Sequence, residues 1–114
     1  MFSIVIPVFN RREKISRALD SCKTVLQSVG GEIILVDDGS TDGVYHVVSK
    51  EYESWLCSGL LKFFRLECNK GVCFAKNYGA LRSNYPWVIF LDSDDFFLED
   101  AGKFVIENVD LFDK

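Results

Sequence analysis

The chain has 114 residues, of which 48% are hydrophobic and 26% are charged, and this composition favours one folded domain over a disordered chain. Its formal net charge is −4 at pH 7, and its lysine and arginine residues are scattered along the sequence. This charge pattern excludes a general affinity for nucleic acid or anionic lipid, so we expect any anionic ligand to be held by a local site.

Short β-branched runs alternate along the chain with longer segments of helical period. This pattern is typical of βαβ units and predicts an α/β fold of three layers, α/β/α and Rossmann-like, with a mostly parallel sheet buried on both faces. The predicted strands are Ser3 to Val8, Ile33 to Val36, Leu60 to Leu66 and Trp87 to Leu91. The predicted helices are Ile15 to Val29, Val44 to Leu56 with Ser40, Thr41 or Asp42 as its N-cap, Val72 to Arg82, and Glu99 to Val109.

The chain contains no internal repeat, low-complexity run or linker, so we treat residues 1–114 as a single domain. Two phenylalanines, Phe96 and Phe97, follow a group of acids as if to cover a surface that belongs to a later part of the protein. We therefore expect the chain to be the first half of a larger enzyme.

Four unusual segments each follow one of the predicted strands. They are PVFNR (7–11), DDGS (37–40), NKG (69–71) and DSDD (92–95). Because loops after parallel strands meet at the carboxyl edge of the sheet, we expect all four segments to lie on one rim, where ligands of such sheets bind.

The acids after the fourth strand follow VIFL, a run that looks fully buried. Carboxylates in that position repel one another unless they are capped, protonated or neutralised by a cation. Mg²⁺ or Mn²⁺ suits Asp92 and Asp94 beside a diphosphate, because these ions combine one or two carboxylates with water and phosphate oxygens. The alternative is that Asp92, Ser93 or Asp95 only caps the next turn.

The other rim segments offer groups for a nucleotide. Asp38 could accept hydrogen bonds from a base or a ribose, Phe9 offers an aromatic wall and Asn10 an amide. Asn69-Lys70-Gly71, with Lys76 and Asn77 beyond it, could bring backbone amides and one cation towards phosphate. DDGS is equally ordinary turn chemistry, and Lys76 could be a solvated helix residue.

Four motifs, in this order and at these spacings, resemble the donor-binding half of a family-2 glycosyltransferase with the A-type glycosyltransferase fold, a nucleotide-diphospho-sugar transferase fold. They are SIVIPVFNR (3–11), EIILVDDGSTD (32–42), NKGVCFAKNYGA (69–80) and VIFLDSDDF (88–96). Each motif alone is weak, but the ordered set covers nearly the whole chain and is specific.

The resemblance implies roles for particular residues. The nucleotide-sugar side would comprise Pro7, Val8, Phe9, Asn10, Asp38, Gly71, Lys76 and Ser93, with Asp38 facing the base. Asp92 and Asp94 would form the metal-binding DxD motif, with Asp94 the direct ligand.

The resemblance also implies an inverting transferase that moves a sugar from a nucleoside-diphosphate sugar, first of all a UDP-sugar, to a hydroxyl of a glycan or a lipid-linked sugar. Such an enzyme would act in the synthesis of polysaccharide, lipopolysaccharide or glycolipid, with Mg²⁺ or Mn²⁺ stabilising the departing diphosphate. The general base is expected beyond residue 114, so residues 1–114 would bind the donor without full activity.

Two positions depart from the family pattern. Phe9 stands where tyrosine is common, which keeps the aromatic wall without its hydroxyl. Lys76 stands where arginine is common, which removes bidentate contact with phosphate.

Two other classes of function compete with this interpretation. A non-catalytic nucleotide-binding or interaction module of the same fold would keep the architecture, but the intact DxD motif and Asp38 argue against it. A phosphoacceptor receiver domain is disfavoured because the expected single-acid position holds DSDD, and the lysine that a receiver needs after a late strand does not follow Val105.

The remaining predictions concern location and the thiols. The apolar run MFSIVIPVF meets Pro7 and then Asn10 too early for a signal peptide or a membrane span, which predicts a cytoplasmic protein, with peripheral membrane association only through other parts. Cysteines 22, 57, 68 and 73 form no CxxC pair and predict buried free thiols, while His46 is expected at or near the surface.

Overall fold

The structure, a computed structural model, describes residues 1–102. Its strands are β1 (Phe2–Val8), β2 (Gly31–Asp37), β3 (Leu61–Arg65) and β4 (Trp87–Phe90). Its helices are α1 (Ile15–Val29), α2 (Val44–Glu51), α3 (Glu53–Ser58) and α4 (Val72–Leu81). All four predicted strands and the first three predicted helical segments are confirmed, whereas most of the predicted helix from Glu99 to Val109 lies outside the described residues.

The four strands form one parallel sheet in the order β3-β2-β1-β4. β1 pairs with β2 on one side, from Phe2↔Gly31 to Val8↔Asp37, and with β4 on the other. Strand order reverses at β1, since the chain builds outwards to β3 and then returns to the opposite side. The carboxyl ends of β1 and β4 therefore flank a topological switch point, where ligands of open α/β sheets bind.

Helices cover both faces of the sheet, which confirms the predicted three layers. On one face, residues of α1 and α2 pack against alternate residues of β1 and β2 in the larger core cluster, which includes Ile4, Ile6, Leu19, Leu35 and Val48. On the other face, Ala75 of α4 packs against Val5, Ile34 and Val36. The period-2 alternation of strand side chains explains this division.

Gly79 allows α4 to lie close to the sheet. A Cβ atom at this position would lie 2.5 Å from Cγ1 of Val5 and 3.2 Å from Cγ2 of Val36. Any larger residue would push α4 away from the two central strands.

The prediction that the sheet is buried on both faces is wrong for β4. Within residues 1–102, β4 is an edge strand that pairs only with β1, and Phe90 is 47% exposed. An apolar run reads as buried in the sequence because strand order does not appear there.

The predicted helix from Val44 to Leu56 is divided at Tyr52 into α2 and α3. Tyr52 has φ −119° and ψ 26°, outside the helical region, and its hydroxyl lies 2.8 Å from Oδ1 of Asp20. The N-cap position of α2 is Gly43, while Asp42 before it accepts a hydrogen bond from Val44 N. The helix is therefore interrupted where Tyr52 contacts Asp20 of α1, and the helical periodicity of the sequence did not indicate this interruption.

A buried polar cluster closes the amino end of the sheet. Glu32 is 2% exposed and accepts hydrogen bonds from Ser3 Oγ (2.6 Å), from Asn84 N (2.7 Å) and Nδ2 (3.1 Å), and from Lys62 Nζ. Burial alone would raise the pKa of Glu32, but the hydrogen bonds from Lys62, Ser3 and Asn84 outweigh it and lower the pKa to about 2. This carboxylate is therefore held ionised in the interior.

The thiols differ from the prediction. All four cysteines are free, but only Cys22 is buried, and Cys57, Cys68 and Cys73 are exposed. The prediction of buried thiols was wrong at these three positions because they lie on outward faces of short helices and on a loop, which their residue type does not reveal. His46 is exposed, as expected.

Between residues 1 and 102, no helix has the length and apolar character that a membrane crossing requires.

Candidate functional site

A cleft of about 360 Å³ lies beyond the carboxyl ends of the strands, at the switch point between β1 and β4. Loops from all four strands contribute to it. Its lining residues are Pro7, Val8, Phe9, Arg11, Asp38, Asn69, Gly71, Val72, Asp92, Ser93 and Asp94. Eight of the ten residues proposed from the sequence are in this set, so the structure brings most of the predicted site together.

The first side of the cleft is the loop after β1. Val8 is buried, and its carbonyl accepts a hydrogen bond from Asp38 N at 2.8 Å, which joins this loop to the one after β2. Phe9 is 42% exposed, so an aromatic face remains available in the cleft. Such a face can stack on a planar ring of a ligand.

The two acids after β2 are buried and hydrogen-bonded. Asp37 accepts a hydrogen bond from Ser40 N at 2.9 Å, as expected for a turn. Asp38 is 3% exposed, and its Oδ1 and Oδ2 accept hydrogen bonds from Lys70 N (2.7 Å) and Gly71 N (2.9 Å). Asp38 thus clamps the loop before α4 against the end of β2.

This clamp corrects the expectation that the amides of the Asn69-Lys70-Gly71 loop are directed at phosphate. The N–H groups of Lys70 and Gly71 are engaged by Asp38. Gly39 allows the close approach, because it has φ +77° and a Cβ atom there would lie 2.6 Å from Asn69 N. Each Asp38 oxygen retains a second lone pair that a ligand in the cleft could use.

The acids after β4 have the opposite environment. Asp92, Asp94 and Asp95 are exposed, and one carboxylate oxygen of each lies within 4.8 Å of those of the other two. Asp95 N donates to the carbonyl of Asp92 at 3.0 Å, so the loop contains a turn that the backbone closes, whereas the alternative interpretation expected a side chain of Asp92, Ser93 or Asp95 to cap it. Ser93 between them is buried.

The chemistry of this acid group fits a hard divalent cation. Oxygen ligands about 2.1 Å from Mg²⁺ lie about 3 to 4 Å apart, so the observed spacing requires only a small adjustment. Open access to solvent suits an ion that keeps several waters and takes phosphate oxygens. Asp92 and Asp94, which also line the cleft, are the residues that would hold such an ion.

Two predicted residues lie outside the cleft lining. The side chain of Asn10 accepts a hydrogen bond from Thr41 N at 2.8 Å, and its backbone N–H donates to Ser40 Oγ at 2.9 Å. Asn10 also has φ +52°, in the left-handed region, so it links two rim loops instead of facing a ligand. Lys76 Nζ lies 5.7 Å from the ring centroid of Phe90, over the sheet face.

Three lining residues, Arg11, Asn69 and Val72, are not among the ten that were proposed from the sequence. Arg11 belongs to the rim segment PVFNR. Its positive charge, on the same rim as the acids after β2 and β4, was the signal that could have identified it as a site residue. Asn69 lies in the segment NKG that the sequence placed on the rim. Val72 had no signal, because an exposed valine at the start of a helix is ordinary.

Comparison with known proteins identifies glycosyltransferases as relatives of this chain. The sequence profile described as "Glycosyl transferase family 2" matches residues 3–110. A poly(ribitol-phosphate) β-N-acetylglucosaminyltransferase of Staphylococcus aureus, TarP, is 36% identical over 113 residues, which cover 93% of this chain and 33% of that protein. The chain spans between 18% and 43% of the length of the first four curated relatives that it matches.

Solved structures are also similar. The crystal structure of S. aureus TarS residues 1–349 has a TM-score of 0.80 at 27% identity and covers 96% of this chain and 32% of that chain, and a structure of the same protein was solved with UDP. GalNAc-T7, solved with UDP, GalNAc and Mn²⁺, has a TM-score of 0.61 at 28% identity, covering 82% of this chain and 17% of that chain.

Proposed function

Because the chain belongs to glycosyl transferase family 2, we propose that it is the donor-binding part of an inverting glycosyltransferase. The whole enzyme would move a sugar from a nucleoside-diphosphate sugar to a hydroxyl of a glycan or a lipid-linked sugar. The observation that carries this proposal is the single cleft in which an aromatic residue, a buried aspartate and two exposed aspartates meet at the switch point of the sheet.

The donor proposed first is a UDP-sugar. Phe9 would stack on the base, and the free lone pairs of Asp38 would accept hydrogen bonds from the base or the ribose. Pro7, Val8 and Gly71 would shape the wall around the nucleoside. The complexes of TarS and GalNAc-T7 with UDP support this choice of base.

The diphosphate would lie between the acids of the β4 loop and Arg11. Asp92 and Asp94 would hold Mg²⁺ or Mn²⁺, which when bound supplies Lewis-acid stabilisation of the charge on the departing diphosphate. Arg11, which also lines the cleft, would contribute a second positive charge. The Mn²⁺ in the GalNAc-T7 complex supports use of a divalent ion.

The chain's own residues would bind and orient the donor, not deprotonate the acceptor. The lining residues include three carboxylates, of which two would hold the ion and the third, Asp38, would serve the clamp on residues 70 and 71 and the nucleoside. The general base would therefore come from elsewhere in the enzyme. We place the enzyme in polysaccharide, lipopolysaccharide or glycolipid synthesis at the cytoplasmic face of a membrane. The activity of the relative TarP, a poly(ribitol-phosphate) β-N-acetylglucosaminyltransferase, supports the assignment to glycan synthesis and does not bear on the location.

Calorimetric titration of the 114-residue chain with UDP and with GDP, each with and without Mn²⁺, tests the proposal. We expect UDP binding that requires Mn²⁺. Asp94→Ala should weaken this binding by roughly tenfold or more, which corresponds to about 1.4 kcal/mol or more.

The matched control is Asp100→Ala, which removes the same charge at an exposed position outside the cleft lining. It should leave Mn²⁺-dependent binding within about twofold of the unmodified chain, which is below 0.5 kcal/mol. The proposal would be overturned if the folded chain bound neither nucleotide in the presence of Mn²⁺, or if both variants bound equally well.

A further inference from the structure

Helix α1 contacts the loop that bears the acids, and nothing in the family assignment explains this contact. Arg17 Nη2 donates to the backbone carbonyl of Asp94 at 3.4 Å. The guanidinium carbon of Arg17 lies 4.3 Å from the ring centroid of Phe96. One turn further along the helix, Ser21 Oγ accepts a hydrogen bond from Phe97 N at 3.0 Å.

The spacing of the two helical residues makes the contact possible. Arg17 and Ser21 are four residues apart, so they lie on the same face of α1. They contact the loop backbone at residues 94 and 97, and Phe96 between those points is covered by the guanidinium plane. The helix therefore holds the loop at three successive places.

Packing fixes the far end of the loop. Phe97 is half-buried and packs against the larger core cluster of this chain, so it covers this chain's own core. Phe96 remains 44% exposed, with Arg17 over its ring. Because the core fixes Phe97 and the helix fixes the backbone at residue 94, the loop segment between them has little freedom.

Repulsion among the carboxylates of the loop explains why a restraint on the loop would favour metal binding. Three exposed carboxylates with oxygens within 4.8 Å of one another repel, and repulsion favours loop conformations that spread them. A metal ion needs the carboxylates close together before it binds. A loop already held in that conformation binds the ion without the cost of ordering it.

We propose that Arg17 and Ser21 are positioning residues that hold the acidic loop, residues 92–97, in the conformation that binds a divalent ion together with the donor diphosphate. This inference rests on the proposed function, because it assumes that Asp92 and Asp94 hold the ion. Arg17 acts through the loop backbone and has no contact with the donor in this role.

Charge and position predict opposite results for Arg17, which makes the proposal testable. Removing a positive charge close to a cation site strengthens cation binding if charge alone matters. Removing a positioning residue weakens it, because the loop must then be ordered on binding. Ser21→Ala changes no charge and so tests positioning alone.

The experiment measures the affinity for Mn²⁺ by electron paramagnetic resonance, with and without saturating UDP. Arg17→Gln and Ser21→Ala are each expected to weaken Mn²⁺ binding about three- to tenfold, at or below the range for outer-shell partners of metal ligands. Arg17→Lys keeps the charge without the planar guanidinium and should remain at least about twofold weaker.

The matched control is Lys23→Gln. Lys23 lies on the same helix and also contacts an aromatic ring, with its Nζ 5.2 Å from the centroid of Trp55, away from the acidic loop. It should leave Mn²⁺ affinity unchanged. Melting temperatures of all variants show whether any loss is a general loss of folding.

The outcomes separate the two proposals. If the unmodified chain binds no Mn²⁺–UDP, the proposed function fails and the role of Arg17 fails with it. If the unmodified chain binds but Arg17→Gln matches Lys23→Gln or binds Mn²⁺ more tightly, only the positioning role is overturned. Weaker binding by both Arg17→Gln and Ser21→Ala, with melting temperatures like that of Lys23→Gln, supports it.

Discussion

The two ends of the sheet use carboxylates in opposite ways. At the amino end, Glu32 is buried and accepts hydrogen bonds from Ser3, Lys62 and Asn84. At the carboxyl end, the acids after β4 are exposed and crowd together. A buried acid with several hydrogen-bond donors stabilises the fold. A crowded group of exposed acids lowers the stability of the fold, and binding of a cation would remove this loss.

Asp38 lies at the carboxyl end of the sheet, but like Glu32 at the amino end it is buried and hydrogen-bonded. It is 3% exposed, and two backbone N–H groups occupy its oxygens. Position on the rim therefore does not decide whether an acid supports the fold. What decides it is whether backbone donors are within reach.

The largest expected effect is the loss of stability in acid that Glu32 causes. Its pKa is lowered from 4.5 to about 2 in the folded chain. The stabilisation is therefore fully present above about pH 4.5 and is lost as the pH falls towards 2, in total about 3 kcal/mol. Urea unfolding between pH 2 and 7 measures it.

Glu32→Gln should flatten this acid dependence, because glutamine does not titrate. Glu67→Gln, at an exposed position, should leave it as in the unmodified chain. Equal acid dependence of the two variants would show that the amino-end cluster contributes nothing to stability in this range.

A smaller effect is expected from Asp38→Asn. The amide can accept one of the two backbone N–H groups but presents its own NH₂ to the other, which should cost about 2 kcal/mol of unfolding free energy. Hydrogen exchange at Lys70 and Gly71 should become faster in the same variant. Unchanged exchange at both amides would contradict the clamp.

The smallest effect, and of opposite sign, is expected from Asp95→Asn. This change removes one charge from the crowded group, so stability should stay the same or rise slightly, within about 0.5 kcal/mol. Thermal unfolding without added metal measures it. A loss as large as that of Asp38→Asn would abolish the distinction between the two kinds of acid.

Much of the fold was predictable because each element carries its own signal. Alternating β-branched runs and a helical period marked the four strands and α1 closely, and the loops after the strands marked the rim. The grouping of Asp92 and Asp94 at one side of the cleft was predictable because the two acids are neighbours in the sequence. Local patterns of this kind can be recognised in the sequence without knowledge of contacts between distant segments.

The rest depended on contacts between distant segments. The edge position of β4, the break at Tyr52 and the clamp of Asp38 on residues 70 and 71 each involve partners about 30 residues or more away. Asn10 had the right residue type for a ligand contact, but its amide binds the backbone of a neighbouring loop. Side-chain chemistry identified candidates, and only the folded chain showed which were already engaged.

The pairing of β1 with β4 also affects the order in which the sheet forms during synthesis. β1 lies in the middle of the sheet, and one of its two sides is completed only when Trp87 to Phe90 emerge. Contacts of such long sequence separation form late and slowly. The nascent chain therefore holds β1 half-paired until β4 has been synthesised, and the cleft, which needs the loop after β4, forms only after that.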